Sequence, residues 1–100
     1  MSDALIVELD MKTFCQVVDI PAAYVIAIVE HGILEPQGRQ PDEWLFDDDS
    51  LIVAKRAARL QRELALEWDG VALALNLLDE LERVRNENRM LRQRLERFLD

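Results

Sequence analysis

The run DGVALALNLLDELERVRNENRMLRQRLERFLD, Asp69 to Asp100, decides how the rest of the chain is read. It contains no proline, and no glycine after Gly70. Ala74, Leu77, Leu81, Val84, Asn88, Leu91, Leu95 and Phe98 recur at alternating intervals of three and four. Such spacing is a heptad seam, with Ala74, Leu81, Asn88 and Leu95 at a and Leu77, Val84, Leu91 and Phe98 at d. A helix from Val71 to Leu99 spans about 44 Å, more than a domain of this length is wide. Its outer end cannot be covered by its own chain, so it is expected to pair with another helix.

The same run changes character along its length. From Val71 to Leu78 only Asn76 is polar, which predicts burial nearly all round against the rest of the chain. From Asp79 onward the apolar residues narrow to the seam. Leu77, Leu81, Val84, Asn88, Leu91, Leu95 and Phe98 are the expected dimer interface. A buried Asn at an a position costs stability but fixes register. Glu80 and Glu87 at g would face Arg85 and Arg92 at e of a parallel partner, whereas an antiparallel partner would bring e arginines together. Exposed ion pairs contribute only about 0–1 kcal/mol each, so the flanks lean towards a parallel pair only weakly.

One hundred residues predict a single domain, with too little chain for a deep active site plus a regulatory unit. Half the residues are apolar, enough for a core, but charges interrupt every candidate for a membrane span of roughly 20 apolar residues. No basic region precedes a hydrophobic block near Met1, so no secretory signal is expected. A single cysteine, Cys15, excludes an intramolecular disulfide and fits a reducing compartment, with the cytoplasm as the expected location.

Charge is distributed unevenly. Met1 to Ser50 holds eleven acids against Lys12 and Arg39, a net of −9 within an overall −8. Leu51 to Asp100 is close to balanced, with ten cations and nine acids. Nucleic acid is bound by Lys and Arg meeting phosphate, so the first half should repel it.

Upstream of the long helix, Leu5, Val7 and Leu9 alternate with Ile6, Glu8 and Asp10 and predict a short strand. Thr13 with Gln16 three residues on resembles a capping box, predicting a helix over Phe14–Val18. Ile20-Pro21 breaks it, and a second helix is expected from about Pro21 to His31, closed by Gly32. Tyr24, Val25, Ile28 and Val29 share one side of it. The pair predicts a helix-turn-helix. Gln37 to Asp42 reads as a turn and Trp44-Leu45-Phe46 as a strand returning beside the first, which is the form of a wing. Asp48, Asp49 or Ser50 is expected to cap a third helix over about Leu51–Glu67, ended by Trp68-Asp69-Gly70. The domain organisation that follows is a head over residues 1–70 and a terminal helix over 71–100, its first two turns packed on the head and the rest an arm.

No catalytic constellation can be assembled. His31 is the only histidine, and neither a zinc site, a Gly-rich phosphate loop nor a Ser-His-Asp set is supplied. Cys15 reads as a small buried residue, and His31 as a group favoured by a helix C-terminus. No metal and no cofactor are expected. Asp47-Asp48-Asp49 lacks the spacing of a calcium loop and suits helix capping instead. Together with Glu30, Glu35, Asp42 and Glu43 these carboxylates form a candidate acidic docking face. Lys55, Arg56, Arg59 and Arg62 recur at helical spacing, either as a phosphate-contacting stripe or as a solvated face that balances the acidic half. Trp44 and Trp68 read as core aromatics.

The order strand, helix-turn-helix, wing, helix, long terminal helix resembles the MerR family of transcription regulators. The resemblance implies a mainly α fold: a winged helix-turn-helix head with a small two-stranded wing, and a long C-terminal dimerisation helix paired antiparallel. MerR-type recognition helices carry arginines and paired tyrosines, whereas PAAYVIAIVEHGILEP, Pro21 to Pro36, has Tyr24 alone and no Lys or Arg. Three blocks, Trp44-Leu45-Phe46-Asp47-Asp48, Glu63 to Gly70 (ELALEWDG) and Glu87 to Leu95 (ENRMLRQRL), are similar to the chaperone-modulatory CbpM family. That resemblance implies a bacterial cytoplasmic protein, not an enzyme, that binds the J-domain of a DnaJ-like co-chaperone, CbpA, and blocks its productive interaction with DnaK. The alternative reading is a MerR-like DNA-binding regulator.

Overall fold

The computed structural model describes residues 7–99. Along the chain it contains β1 (Leu9–Asp10), α1 (Met11–Val18), α2 (Ala22–Glu30), β2 (Leu45–Phe46), α3 (Asp49–Leu64) and α4 (Trp68–Leu99). β1 and β2 are antiparallel, with Leu9 opposite Phe46 and Asp10 opposite Leu45, and Gln37 bridges to the other side of Leu45. The mainly helical, winged helix-turn-helix fold is as expected. Leu5 and Ile6 of the anticipated first strand lie outside the described residues, and within them the strand begins only at Leu9.

Each boundary has a local cause. α1 starts three residues earlier than its Thr13-Gln16 signal suggests, because Asp10 is the cap: its carboxylate accepts the Thr13 N–H at 2.8 Å. Asp19, in the left-handed conformation at φ 57°, stops it. Pro21 precedes α2, and the two helix axes differ by 106°, within the range of a helix-turn-helix. α2 ends in a Schellman motif. Gly32 takes φ 74°, its N–H reaches Val29 O at 3.0 Å, and the Ile33 N–H reaches Ile28 O at 3.0 Å.

The wing tip is tight. Gly38 sits at φ 110°, and a Cβ there would lie 2.5 Å from Glu43 O, so no other residue fits. A single 3-10 turn, Pro41–Glu43, then returns the chain into β2. At the start of α3 the capping carboxylate is that of Asp47, which accepts from both the N–H and the hydroxyl of Ser50 at 2.9 Å. Asp48, at the cap position, makes no side-chain cap bond.

The junction between the last two helices differs from expectation. Trp68-Asp69-Gly70 does not end α3; it is the first turn of α4. α3 stops at Leu64 because Ala65 adopts the left-handed conformation, φ 52°. Trp68 can open a helix because its ring packs edge-on against Tyr24 of α2, centroids 5.5 Å apart.

The core lies where α1, α2, α3, the wing and the start of α4 meet. Phe14, Val25, Ile28, Ala54, Ala57 and Val71 are wholly buried, and Phe46 nearly so. Ala54 and Ala57 lack the bulk to hold neighbours away, so α3 approaches closely. Trp44 is buried and meets Phe46 edge-on, and Trp68 is half-buried against the core, both as expected for core aromatics.

One expectation about α4 fails. Val71 and Leu75 are buried, but Leu73 and Leu77 are each 59% exposed and Leu78 is also exposed. A helix lying along one side of a small head buries one stripe only. Leu73 and Leu77 stand two residues, about 200°, from Val71 and Leu75, on the far side. Beyond Leu75 no residue of α4 is buried, and the arm gives the molecule its 59 Å long axis.

Candidate interaction surfaces: an acidic head and an apolar seam

All seven carboxylates of the anticipated acidic face, Glu30, Glu35, Asp42, Glu43, Asp47, Asp48 and Asp49, are exposed. Their surroundings differ. Glu35 and Asp47 line one cavity of about 280 Å³ beside β2, with Leu45, Phe46 and Pro36 forming its apolar wall. Glu8 lines it too. The sequence reading missed Glu8 because only the pairing of β1 with β2 brings it to that wall; its place one residue before the strand was the available signal. Glu43 folds back on the wing, accepting from the Arg39 N–H at 3.3 Å and the Gln40 amide at 3.4 Å. Glu30 closes α2, Asp42 stands in the 3-10 turn, and Asp48 and Asp49 open α3; none of the four lines that cavity.

No basic residue interrupts the exposed part of α2, which presents Ala22, Ala23, Tyr24 and Glu30. That surface offers a phosphate no cation. The basic stripe of α3 is partly engaged within the chain: Arg56 approaches Asp79 of α4 at 3.7 Å, and Arg59 binds Glu63 at 2.9 Å. Internal charge balance is thus what part of the stripe performs.

His31 sits at the C-terminal cap of α2 as anticipated. Its Nδ1 lies 2.8 Å from Ala27 O and its Nε2 3.1 Å from an oxygen of Asp69, linking the end of α2 to the first turn of α4. Cys15 is half-buried rather than fully buried, and burial raises its thiol pKa, away from reactive thiolate. Among the described residues no group of three His, Cys, Asp or Glu side chains is placed to hold a metal ion. No single described helix is long and apolar enough to cross a membrane.

The second surface is the seam of α4. Leu77, Leu81, Val84, Leu91, Leu95 and Phe98 are 59%, 42%, 46%, 61%, 59% and 88% exposed, so the chain covers none of them. Asn88 is exposed between Val84 and Leu91. With Leu73 the stripe extends one turn towards the head, over 59% exposed apolar surface that the nearly all-apolar run Val71–Leu78 was expected to bury. On its flank Arg83 binds Glu80 and, at 2.6 Å, Glu87. The Arg83 hydrogen bond first, and its charge second, hold the Glu80 carboxyl below its ordinary pKa. A soluble monomer rarely leaves so long an apolar stripe bare.

The sequence model of the MerR HTH family regulatory proteins matches residues 9–93. Chaperone modulatory protein CbpM of Pseudomonas putida (strain W619) is 63% identical over 98% of this chain and 97% of its own length. The protein of the same name from Pseudomonas entomophila (strain L48) is 60% identical over 98% and 97%. That from Escherichia coli O139:H28 (strain E24377A / ETEC) is 46% identical over 86% and 85%. With matches of this identity over nearly the whole chain, the chain belongs to the CbpM chaperone-modulatory proteins, within the MerR-type helix-turn-helix regulatory family.

Proposed function

We propose that the protein is a non-enzymatic inhibitor of a DnaJ-like co-chaperone of the CbpA type. It binds the J-domain through the acidic face of the head and blocks productive engagement of DnaK. It acts in the cytoplasm as a homodimer joined along the α4 seam. The observation that supports this most is the net −9 of the first half, together with the exposure of its described carboxylates on a helix-turn-helix head whose α2 has no cation. J-domains engage DnaK through a basic helical surface. An acidic module occupies such a surface by complementary potential, which speeds encounter and sets specificity, while apolar contacts supply most of the affinity.

Isothermal titration against a J-domain co-chaperone tests this. Binding should weaken as salt rises, and should fall at least tenfold in Glu35→Lys and in Asp48→Lys/Asp49→Lys. Those side chains make no capping bond, so the head should stay folded. Unchanged affinity in both variants removes the acidic-face mechanism. Salt-dependent retention of duplex DNA by the wild type, with no J-domain binding, moves the function to nucleic acid.

A further inference from the structure

His31 is the chain's only histidine, and each of its ring nitrogens faces an oxygen that accepts hydrogen bonds but donates none. Nδ1 lies 2.8 Å from the Ala27 carbonyl oxygen of its own helix, which also accepts the His31 backbone N–H at 3.0 Å. Nε2 lies 3.1 Å from Oδ1 of Asp69, in the first turn of α4. A neutral imidazole has one N–H. It satisfies one of these two oxygens and turns a lone pair towards the other. Only the imidazolium donates to both.

We propose that His31 is a proton-dependent latch between the end of α2 and the base of the arm. Carrying both protons, the ring ties the Ala27 carbonyl of one helix to the Asp69 carboxylate of the other. On deprotonation one ring N–H gives its proton to solvent, and the charge-assisted bond across the joint is lost. Whichever nitrogen gives up the proton, the bridge between the two helices loses one of its ends. The ring is 32% exposed, so solvent protons reach it. Histidine is the side chain whose charge ordinarily changes between about pH 5 and pH 8. A contact made in full only by the protonated ring stabilises the fold at low pH, and that contribution is lost as pH rises.

The other charged groups around the ring supply no substitute for Asp69. A cavity of about 240 Å³ bounded by α2, α3 and α4 places His31 with Arg56 of α3 and Asp79 of α4. Those two approach each other at 3.7 Å, and their charges oppose one another. Glu30 precedes the ring on α2 and is exposed. The carbonyl end of α2 adds a partial negative charge, which favours a cation at this cap.

The position gives the latch something to act on. Among the described residues of α4 only Val71 and Leu75 are buried, so a short stretch holds the arm to the head. Trp68, packed edge-on against Tyr24, is the neighbouring tie between the same two helices. Acid therefore fastens the arm to the helix-turn-helix, and alkali loosens it. This device is independent of what the acidic face binds and of what covers the seam.

Urea unfolding of wild type, His31→Gln, Asp69→Asn and the double variant, at pH 5.5 and at pH 8.5, tests the latch. The cycle cancels the titration of every other group. At pH 5.5 the two side chains should be coupled by roughly 1.5- to fivefold in the unfolding equilibrium constant, the range of exposed ion pairs. At pH 8.5 the coupling should vanish. Equal coupling at both pH values would mean a merely structural contact, and absence of coupling at pH 5.5 would mean no bridge; either overturns the proposal. Nuclear magnetic resonance of the wild type needs no variant. Cross-relaxation between the His31 ring protons and the Asp69 β protons should be present at pH 5.5 and weaken at pH 8.5. Contacts unchanged across that range would overturn the proposal as well.

Discussion

Phe14 and Phe46 stack with ring centroids 4.1 Å apart and planes inclined by 19°. One ring comes from α1 and the other from β2, so this contact fastens the wing to the helix-turn-helix. Both rings are almost wholly buried. Replacing Phe46 by alanine should cost about 3–5 kcal/mol. That is a large share of the roughly 5–15 kcal/mol that holds a domain together. Thermal unfolding followed by circular dichroism should show a loss of most cooperative stability. A shift of only a degree or two would mean the wing is not part of the core.

Ala65 ends α3 in a conformation that costs a residue with a Cβ about 1–2 kcal/mol. Ala65→Gly removes that strain and should raise stability by about 1 kcal/mol, after the extra freedom glycine has in the unfolded chain. Urea unfolding would register a higher midpoint at unchanged slope. A lower midpoint would show that the Ala65 methyl packs usefully.

Asp10 caps α1 and Asp47 caps α3. The hydrogen bonds from Thr13, the backbone one first, hold the Asp10 carboxyl below its ordinary pKa of 3.8. A depressed carboxyl contributes stability at pH values above the unfolded pKa, and that contribution is lost as pH falls through the folded value. Wild type should therefore lose more stability than Asp10→Asn between pH 5 and pH 2.5. Parallel losses in the two proteins would remove Asp10 from acid unfolding. Asp47→Ala should cost about 1 kcal/mol at neutral pH through the lost cap of α3.

Leu91 and Leu95 lie far from the head on the exposed side of α4. A carboxylate at either position has no place in an apolar layer between helices. Leu91→Asp and Leu95→Asp should each convert the protein to monomer by sedimentation velocity while circular dichroism retains the folded head. A mutant that stays dimeric at low micromolar concentration would place self-association elsewhere.

Much of this protein is written in local pattern. The proline break at Pro21, the glycine stop at Gly32, the turn at Gly38 and the three-four spacing from Ala74 to Phe98 are short-range signals. Each acts through steric limits on φ or through the helical period, which do not depend on distant residues. Accordingly the helix-turn-helix, the wing and the arm are readable before any tertiary contact is known. The acidity of the first half is equally a property of the chain.

Other features needed the fold. Asp10 displaced Thr13 as the cap of α1 because strand pairing with β2 sets where the helix starts. Trp68 moved from the end of α3 to the start of α4 because its ring has Tyr24 to pack on, an interaction 44 positions apart in sequence. Glu8 joined Glu35 and Asp47 for the same reason. The run Val71–Leu78 is apolar on nearly every side, with Asn76 its one polar residue, so composition says little about which side meets the head. Packing decided it: Val71 and Leu75 face inward, and Leu73 and Leu77 are left to continue the seam. Period is local and therefore legible in one dimension, whereas the choice among equally apolar faces is made only by what the rest of the chain brings against them.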